Sequence, residues 1–138
     1  MDYQQTFAIS AAGMTVERSR LDVAAMNLAN AQTISGVDGQ GYRPQRVIVN
    51  GAQDSASFQS LMARPTASIT TTDAPDRTMY EPGHPYADAK GFVSYPGVDS
   101  ATEMMTIMDA MRAYEANVAA MNASRAMALK ALEIGGNA

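Results

Sequence analysis

The chain has no cysteine and no tryptophan, and only three phenylalanines and one histidine among its 138 residues. Lack of cysteine excludes disulfides and thiolate chemistry, while leaving the compartment open, because reducing and oxidising surroundings both accept such a chain. With few aromatic rings and eleven methionines, any core must be aliphatic and adaptable. An excess of one charge is missing too: ten Lys and Arg are interspersed with fourteen Asp and Glu, for a net −4. That mixture offers no basic patch and argues against DNA or RNA partners. No apolar run approaches the ~18 residues of a membrane-spanning helix. The Met1-Asp2 start lacks the basic segment of a secretory signal peptide, so export, if it occurs, is expected by another route.

Helix breakers are scarce at both ends. All six prolines and seven of the ten glycines lie between residues 32 and 99, so the pattern predicts two terminal helices around a middle of different character. The longer helix is expected over Ser100 to Asn137. Met104, Ile107, Met111, Tyr114, Val118, Met121, Arg125, Ala128 and Leu132 form a seam at heptad spacing, broken only by Arg125. Ser100 and Glu103 read as a capping box at its start, and Gly135 and Gly136 as its stop. At ~1.5 Å per residue this helix is about 50 Å long. On its other side Ala113, Ala120, Met127 and Ile134 repeat at sevens, and Ala116 to Ser124 carry no charge. Either this is a bland surface of good helix formers, or the helix is covered on more than one side.

The N-terminal segment, Asp2 to about Asn30, mirrors it. Asp2 and Gln5 can cap its start, and Phe7, Ala11, Met14, Arg18, Leu21, Ala25 and Leu28 make a second seam interrupted by one arginine. Ile9, Val16 and Val23 form another stripe about 200° away around the helix. Two helices can hide one stripe each in a hairpin. The second stripes then remain as candidate subunit interfaces. Gly13 costs the helix about 1 kcal/mol relative to alanine, which suggests that a neighbouring backbone approaches there. Arg18 and Arg125 either snorkel to water or act as register keys paired with another chain.

Between the helices, strands are expected at Gln45 to Asn50, Ala67 to Thr72, Arg77 to Tyr80 and Gly91 to Ser94, from their Val, Ile, Thr, Tyr and Phe content between turn residues. Residues 51–65 lack periodicity and read as a mobile loop. The fold class is therefore mainly α with a small β-containing insert, the terminal helices (1–31 with 100–138) forming a discontinuous coiled-coil domain and 32–99 a middle domain of short strands and loops.

Little in the sequence points to catalysis. His84 and Asp88 have a metal-pair spacing only on a helix, which Pro82, Gly83 and Pro85 forbid. No nucleophile elbow accompanies any serine, and the glycines at 36, 39 and 41 precede a strand instead of opening a helix. The chain is read as a non-enzyme without catalytic, cofactor-binding or metal-ligating residues. A coiled-coil oligomerisation adaptor and a cell-wall enzyme acting through a loop carboxylate remain as alternatives without a motif.

Several stretches carry a resemblance. Leu21 to Thr33 (LDVAAMNLANAQT) resembles the Asn-Leu-Ala-Asn signature of the bacterial flagellar rod and hook axial proteins, here Asn27, Leu28, Ala29 and Asn30. Tyr42 and Pro44 in GQGYRP, then Tyr80, Pro82, Pro85 and Asp88 in YEPGHPYAD, are similar in order and spacing to proximal members of the basal-body rod family. So are Gly91 and Pro96 in GFVSYPGVD, Glu103-Met104, and Tyr114 and Asn117 in RAYEAN. The resemblance covers nearly the whole chain and is weakest over residues 51–76. It implies a structural subunit exported through the flagellar type III apparatus without a cleaved signal. Such a subunit joins other axial proteins and copies of itself in the rod, in the periplasmic part of the basal body. It also implies that the terminal helices pair around the export channel while the middle makes outer contacts, with no cofactor, small-molecule substrate, nucleic acid or membrane span. At Asn27 to Asn30, near the helix end, the two amides are expected to cap carbonyls and fix the turn into the loop.

Overall fold

A computed structural model describes residues 3–34, 41–50 and 66–136. Its elements are α1 (Tyr3–Asn30), β1 (Gln45–Asn50), β2 (Thr66–Thr71), β3 (Arg77–Tyr80), β4 (Phe92–Tyr95) and α2 (Ser100–Gly136). This is the expected architecture: two long terminal helices with short antiparallel strands between them. The cap expected at Asp2 and the loop expected over 51–65 lie outside the described residues.

The strands pair as two ribbons, β1 with β2 and β3 with β4. In the second, Arg77 faces Tyr95 and Tyr80 faces Phe92. β4 begins one residue later than the sequence pattern suggests, and Gly91 explains why. Its φ of 82° is left-handed, so it belongs to the turn and cannot extend the strand.

The start of α2 corrects the capping box read at Ser100 and Glu103. Asp99 is the cap. Its carboxylate accepts hydrogen bonds from the Ala101 amide (3.2 Å) and the Thr102 hydroxyl (2.6 Å), and its carbonyl takes the first helical bond, from the Glu103 amide. These bonds, the Thr102 hydroxyl foremost, hold the Asp99 carboxyl below the usual carboxylate range. Glu103 is thereby free for another partner. At the other end α2 closes at Gly136, the second of the two glycines read as its stop, with Gly135 still helical.

The chain divides into two compact units, and both helices contribute to each. One comprises Met1–Ser19, Ile48–Ser68 and Asp109–Ala138; the other comprises Arg20–Val47 and Ile69–Met108. The second holds Val93, Val98, Val23, Ala24 and Ala31 as its buried apolar residues, together with the buried Pro44 and Pro96. There Gly97 packs against the carbonyl of Pro75 so closely that no side chain fits. In the first, Val16 and Ala110 are the buried apolar residues, accompanied by Ser10 and Ser124.

Candidate functional site

Within the second unit, three of the stretches singled out by their resemblance converge. Asn27, 1% exposed, lies on the last turns of α1 and turns its amide onto the start of β1. Its Nδ2 donates to the Gln45 carbonyl (2.8 Å), and its Oδ1 accepts from the Gln45 amide (2.9 Å) and the Tyr42 hydroxyl (2.7 Å). An asparagine side chain has the same donor and acceptor as a peptide, so Asn27 satisfies both backbone groups of Gln45 as a neighbouring strand would. Glu103, buried on the first turn of α2, reaches Arg46 at 3.8 Å. Burial, and secondarily the Glu103 carboxylate, push the Tyr42 hydroxyl above its ordinary value and keep it a donor. A cavity of 120 Å³ adjoins this cluster between Val23 and Ala24 of α1 and Thr106 of α2.

The capping role expected at Asn27 and Asn30 thus falls to Asn30 alone. Its Nδ2 donates to the Met26 carbonyl (2.8 Å) and its Oδ1 accepts from Thr33. Asn27 instead ties two elements together.

A second group shapes the β3–β4 connection. Asp88 Oδ1 accepts from the amides of Lys90 and Phe92, both at 2.8 Å. The Phe92 amide is the main reason its carboxyl stays below the usual carboxylate range. Gly91 sits against the Tyr80 ring and Pro82, where a Cβ would come within 2.9 Å of the ring. Tyr80 and Phe92 meet edge to face at 5.3 Å. Tyr95 donates to Glu81 (3.2 Å), and its own hydroxyl is raised by desolvation and that carboxylate. Pro85 is exposed at the tip, beside a loop in which His84 Nδ1 accepts from the Tyr86 amide. His84 is therefore held by its own turn, and among the described residues no metal-binding group of three or more His, Cys, Asp or Glu forms.

In the first unit, α1 and α2 approach closely where Gly13 faces Asn117: a Cβ on Gly13 would lie 2.8 Å from the Asn117 Oδ1. The close neighbour is therefore a side chain and not the backbone expected from the sequence, and it is itself tied back to the Ala113 carbonyl (3.0 Å). A groove of 620 Å³ follows Ala8, Ala11, Ala12 and Thr15 of α1 to Thr66 and Ala67 of β2.

The helix stripes are distributed unevenly. Of the α1 seam, Phe7, Met14, Leu21 and Leu28 are half-buried; of the α2 seam, Ile107, Val118 and Met121 are half-buried while Met104, Met111, Tyr114 and Leu132 are exposed. Among the candidate interface residues, Val16 and Val23 are buried and Ile9, Gly13 and Ala113 half-buried. Arg18, Ala120, Arg125, Met127 and Ile134 are exposed. What α2 covers most completely is a different row at sevens: Glu103, Ala110 and Ser124 buried, with Asn117 half-buried between them. Ser10, Ala24 and Ala31 repeat likewise along α1, with Glu17 half-buried in the same row. Both rows mix small residues with polar ones, Glu103 and Asn117 on α2 and Glu17 on α1, so neither small size nor hydrophobicity at seven-residue spacing singles them out in the sequence. Gln45 and Arg46 left no signal, because a bond to backbone puts no constraint on the side chain of Gln45.

Comparison with known proteins covers the chain nearly end to end. Residues 89–134 match the family described as flagellar basal body rod FlgEFG protein C-terminal. The flagellar basal-body rod protein FlgC of Escherichia coli O6:H1 (strain CFT073) is 44% identical over 131 residues, covering 94% of this chain and 95% of that one. The protein of the same name from Salmonella typhimurium is 41% identical, with the same coverages. Its Bacillus subtilis counterpart is 36% identical over 92% of this chain and 94% of its own. With relatives 36–44% identical that cover 92–94% of it, and with a fold of two long helices and short ribbons, the chain belongs to the FlgC family of flagellar basal-body rod proteins.

Proposed function

We propose that the chain is a structural subunit of the flagellar basal-body rod, assembling with other axial proteins and with copies of itself into a shaft that transmits torque from motor to hook and encloses the export channel. In this reading the terminal helices form the inner domain, the middle segment makes outer contacts, and the subunit reaches the periplasmic part of the basal body through the flagellar type III apparatus without a cleaved signal.

The observation that supports it is the uncovered apolar surface of α2. Met104, Met105, Met108 and Met111 near its start and Met127, Leu129, Leu132 and Ile134 near its end are all about half exposed or more, reaching 65% at Met105 and 76% at Ile134. A lone chain gains nothing from so many large apolar groups in water, and patches of this extent mark surfaces meant for a partner. Methionine suits such a surface because its unbranched thioether adapts to neighbours of different shape. Interfaces packed as densely as a protein interior are stiff, as a torque-bearing shaft requires.

The test is complementation in a flagellated bacterium that lacks its own protein of this family. The expected result is restored swimming and recovery of the chain with purified basal bodies, both lost on replacing Met108 and Met111 by Glu in a chain that still folds. A chain absent from basal bodies, and forming a small fixed oligomer in solution, would instead make it a coiled-coil adaptor.

A further inference from the structure

The cluster around Asn27 holds three separate parts of the chain, and its members are not interchangeable polar groups. We propose that Asn27, Tyr42, Gln45, Arg46 and Glu103 form a single conformational latch, with Asn27 as its positioning residue, that fixes the first turn of α2 against the last turns of α1 through the segment 42–46.

The geometry supplies each link. On the α1 side, the Asn27 amide makes three hydrogen bonds of 2.7 to 2.9 Å, two to the backbone of Gln45 and one to Tyr42. The Gln45 pair is directional on both atoms, so a slip of Gln45 by one residue along the strand would break both bonds and turn every β1 side chain to the other face. β2 occupies the opposite edge of β1, where the Thr72 amide donates to the Pro44 carbonyl (2.7 Å), so Asn27 closes the edge that would otherwise lie open. On the α2 side, the next residue, Arg46, reaches the buried Glu103. That contact is long, and the Arg46 side chain is half exposed, so it does not fix α2 by itself. Shared geometry supplies the second link: Gln45, Arg46 and Glu103 line one cavity with Val23 and Ala24 of α1 and Thr106 of α2, while the Tyr42 hydroxyl donates to Asn27. Glu103 can occupy this place only because Asp99, and not Glu103, caps the helix. The segment 42–46 is thus a tie bar with Asn27 at one end and Glu103 at the other.

A tie bar makes a claim that a local structural bond does not: disturbance at Asn27 must be felt at Glu103, which it does not touch. Hydrogen exchange of the full chain, resolved by residue, reads this directly. In Asn27→Ala the Gln45 amide loses its acceptor and exchanges about a hundredfold faster, as expected for loss of two or three buried hydrogen bonds. If the latch exists, the amides of Glu103 to Met108 also exchange at least about tenfold faster, while those of Val93 to Tyr95 do not. Faster exchange at Gln45 alone would overturn the proposal. Should Asn27→Ala fail to fold, Tyr42→Phe removes one hydroxyl and leaves the packing; about tenfold faster exchange in the first turns of α2 is expected, and no change there overturns the latch.

A second variant gives a signature that a merely structural position would not. In Asn27→Asp the carboxylate still accepts from Tyr42 and the Gln45 amide but faces the Gln45 carbonyl without a donor, in surroundings that already contain Glu103 and, in partial compensation, Arg46. Lowering the pH protonates it and restores the donor. Protection of Gln45 and of Glu103 to Met108 is expected to recover together on acidification, opposite in sign to the acid response of the parent chain. Separate recovery, or none, rejects the coupling.

Discussion

The two compact units hold themselves together by different means. In the unit that contains Asn27, the fixed points are bonds to backbone and places where backbone leaves no room: the Asn27–Gln45 clasp, the Asp88 bonds to Lys90 and Phe92, the Asp99 cap, Gly97 against the Pro75 carbonyl. In the unit that contains Gly13, the two helices meet through small side chains and Asn117, and large apolar groups at the end of α2 stay in water. The first kind of contact is directional, the second a matter of size. Both units leave large apolar groups of α2 in water, Met104, Met105 and Met108 in the one and Met127, Leu129, Leu132 and Ile134 in the other. Each therefore has surface for assembly to cover, and local stability within the chain is expected to follow the directional bonds.

The sharpest way to break that comparison is Gly97→Ala. A methyl group there meets the Pro75 carbonyl and Ala74, so backbone must move, and a loss of about 3 kcal/mol in urea unfolding is expected. A loss under about 1 kcal/mol would show that the tight unit yields more easily than its packing implies. Gly13→Leu is the matching change in the other unit. Asn117 can swing aside in part, so roughly 2 kcal/mol is expected, with faster exchange over residues 109–121 and none over 92–98. Equal effects in both stretches would erase the distinction.

pH acts on the tight unit from both sides. The Tyr42 hydroxyl titrates higher folded than unfolded, so its contribution is fully present below about pH 10 and is lost as pH rises through the folded value. Tyr42→Phe should flatten the alkaline limb of a thermal-stability profile. Asp99 is shifted the other way: its contribution is present above the ordinary carboxylate value and disappears as pH falls through the lowered one. Asp99→Asn, which still caps, should remove that part of the acid response while leaving helix content near that of the parent. An unchanged profile in either variant would show that the group is not bonded in solution as described. The smallest effect on the lone chain is expected from Leu132→Gln, because this side chain already faces water. Its unfolding free energy should stay within about 0.5 kcal/mol of the parent, whereas incorporation into basal bodies should fall.

Much of the architecture was legible. Confinement of proline to residues 32–99 marks both helix boundaries, because proline cannot continue a helix and glycine weakens one. β1 and β3 sit where Val, Ile, Thr and Tyr cluster between turn residues. The cap of α2 was misplaced by one residue, since Asp99 and Ser100 are adjacent and both are good caps; only the bonds from Ala101 and Thr102 distinguish them. For the site, Asn27, Tyr42 and Glu103 stood out by resemblance, yet neither their convergence nor Gln45 and Arg46 could be read. Their sequence separations span three elements, and a bond to the backbone of Gln45 constrains its position and not its identity.

The residue order by itself determined the kinds of element and their sequence, because hydrophobic period, breakers and caps act within a few residues of one another. It also determined that large apolar groups recur along both helices. Which of these the chain covers was decided by tertiary structure alone. Here Gly13 of α1 meets the Asn117 side chain of α2, and Val16, Val23, Ala24 and Ala110 are the apolar helix residues most fully covered, while the methionines at the start of α2 stay exposed. Which residues are covered depends on packing between segments far apart in the chain, which no local pattern encodes.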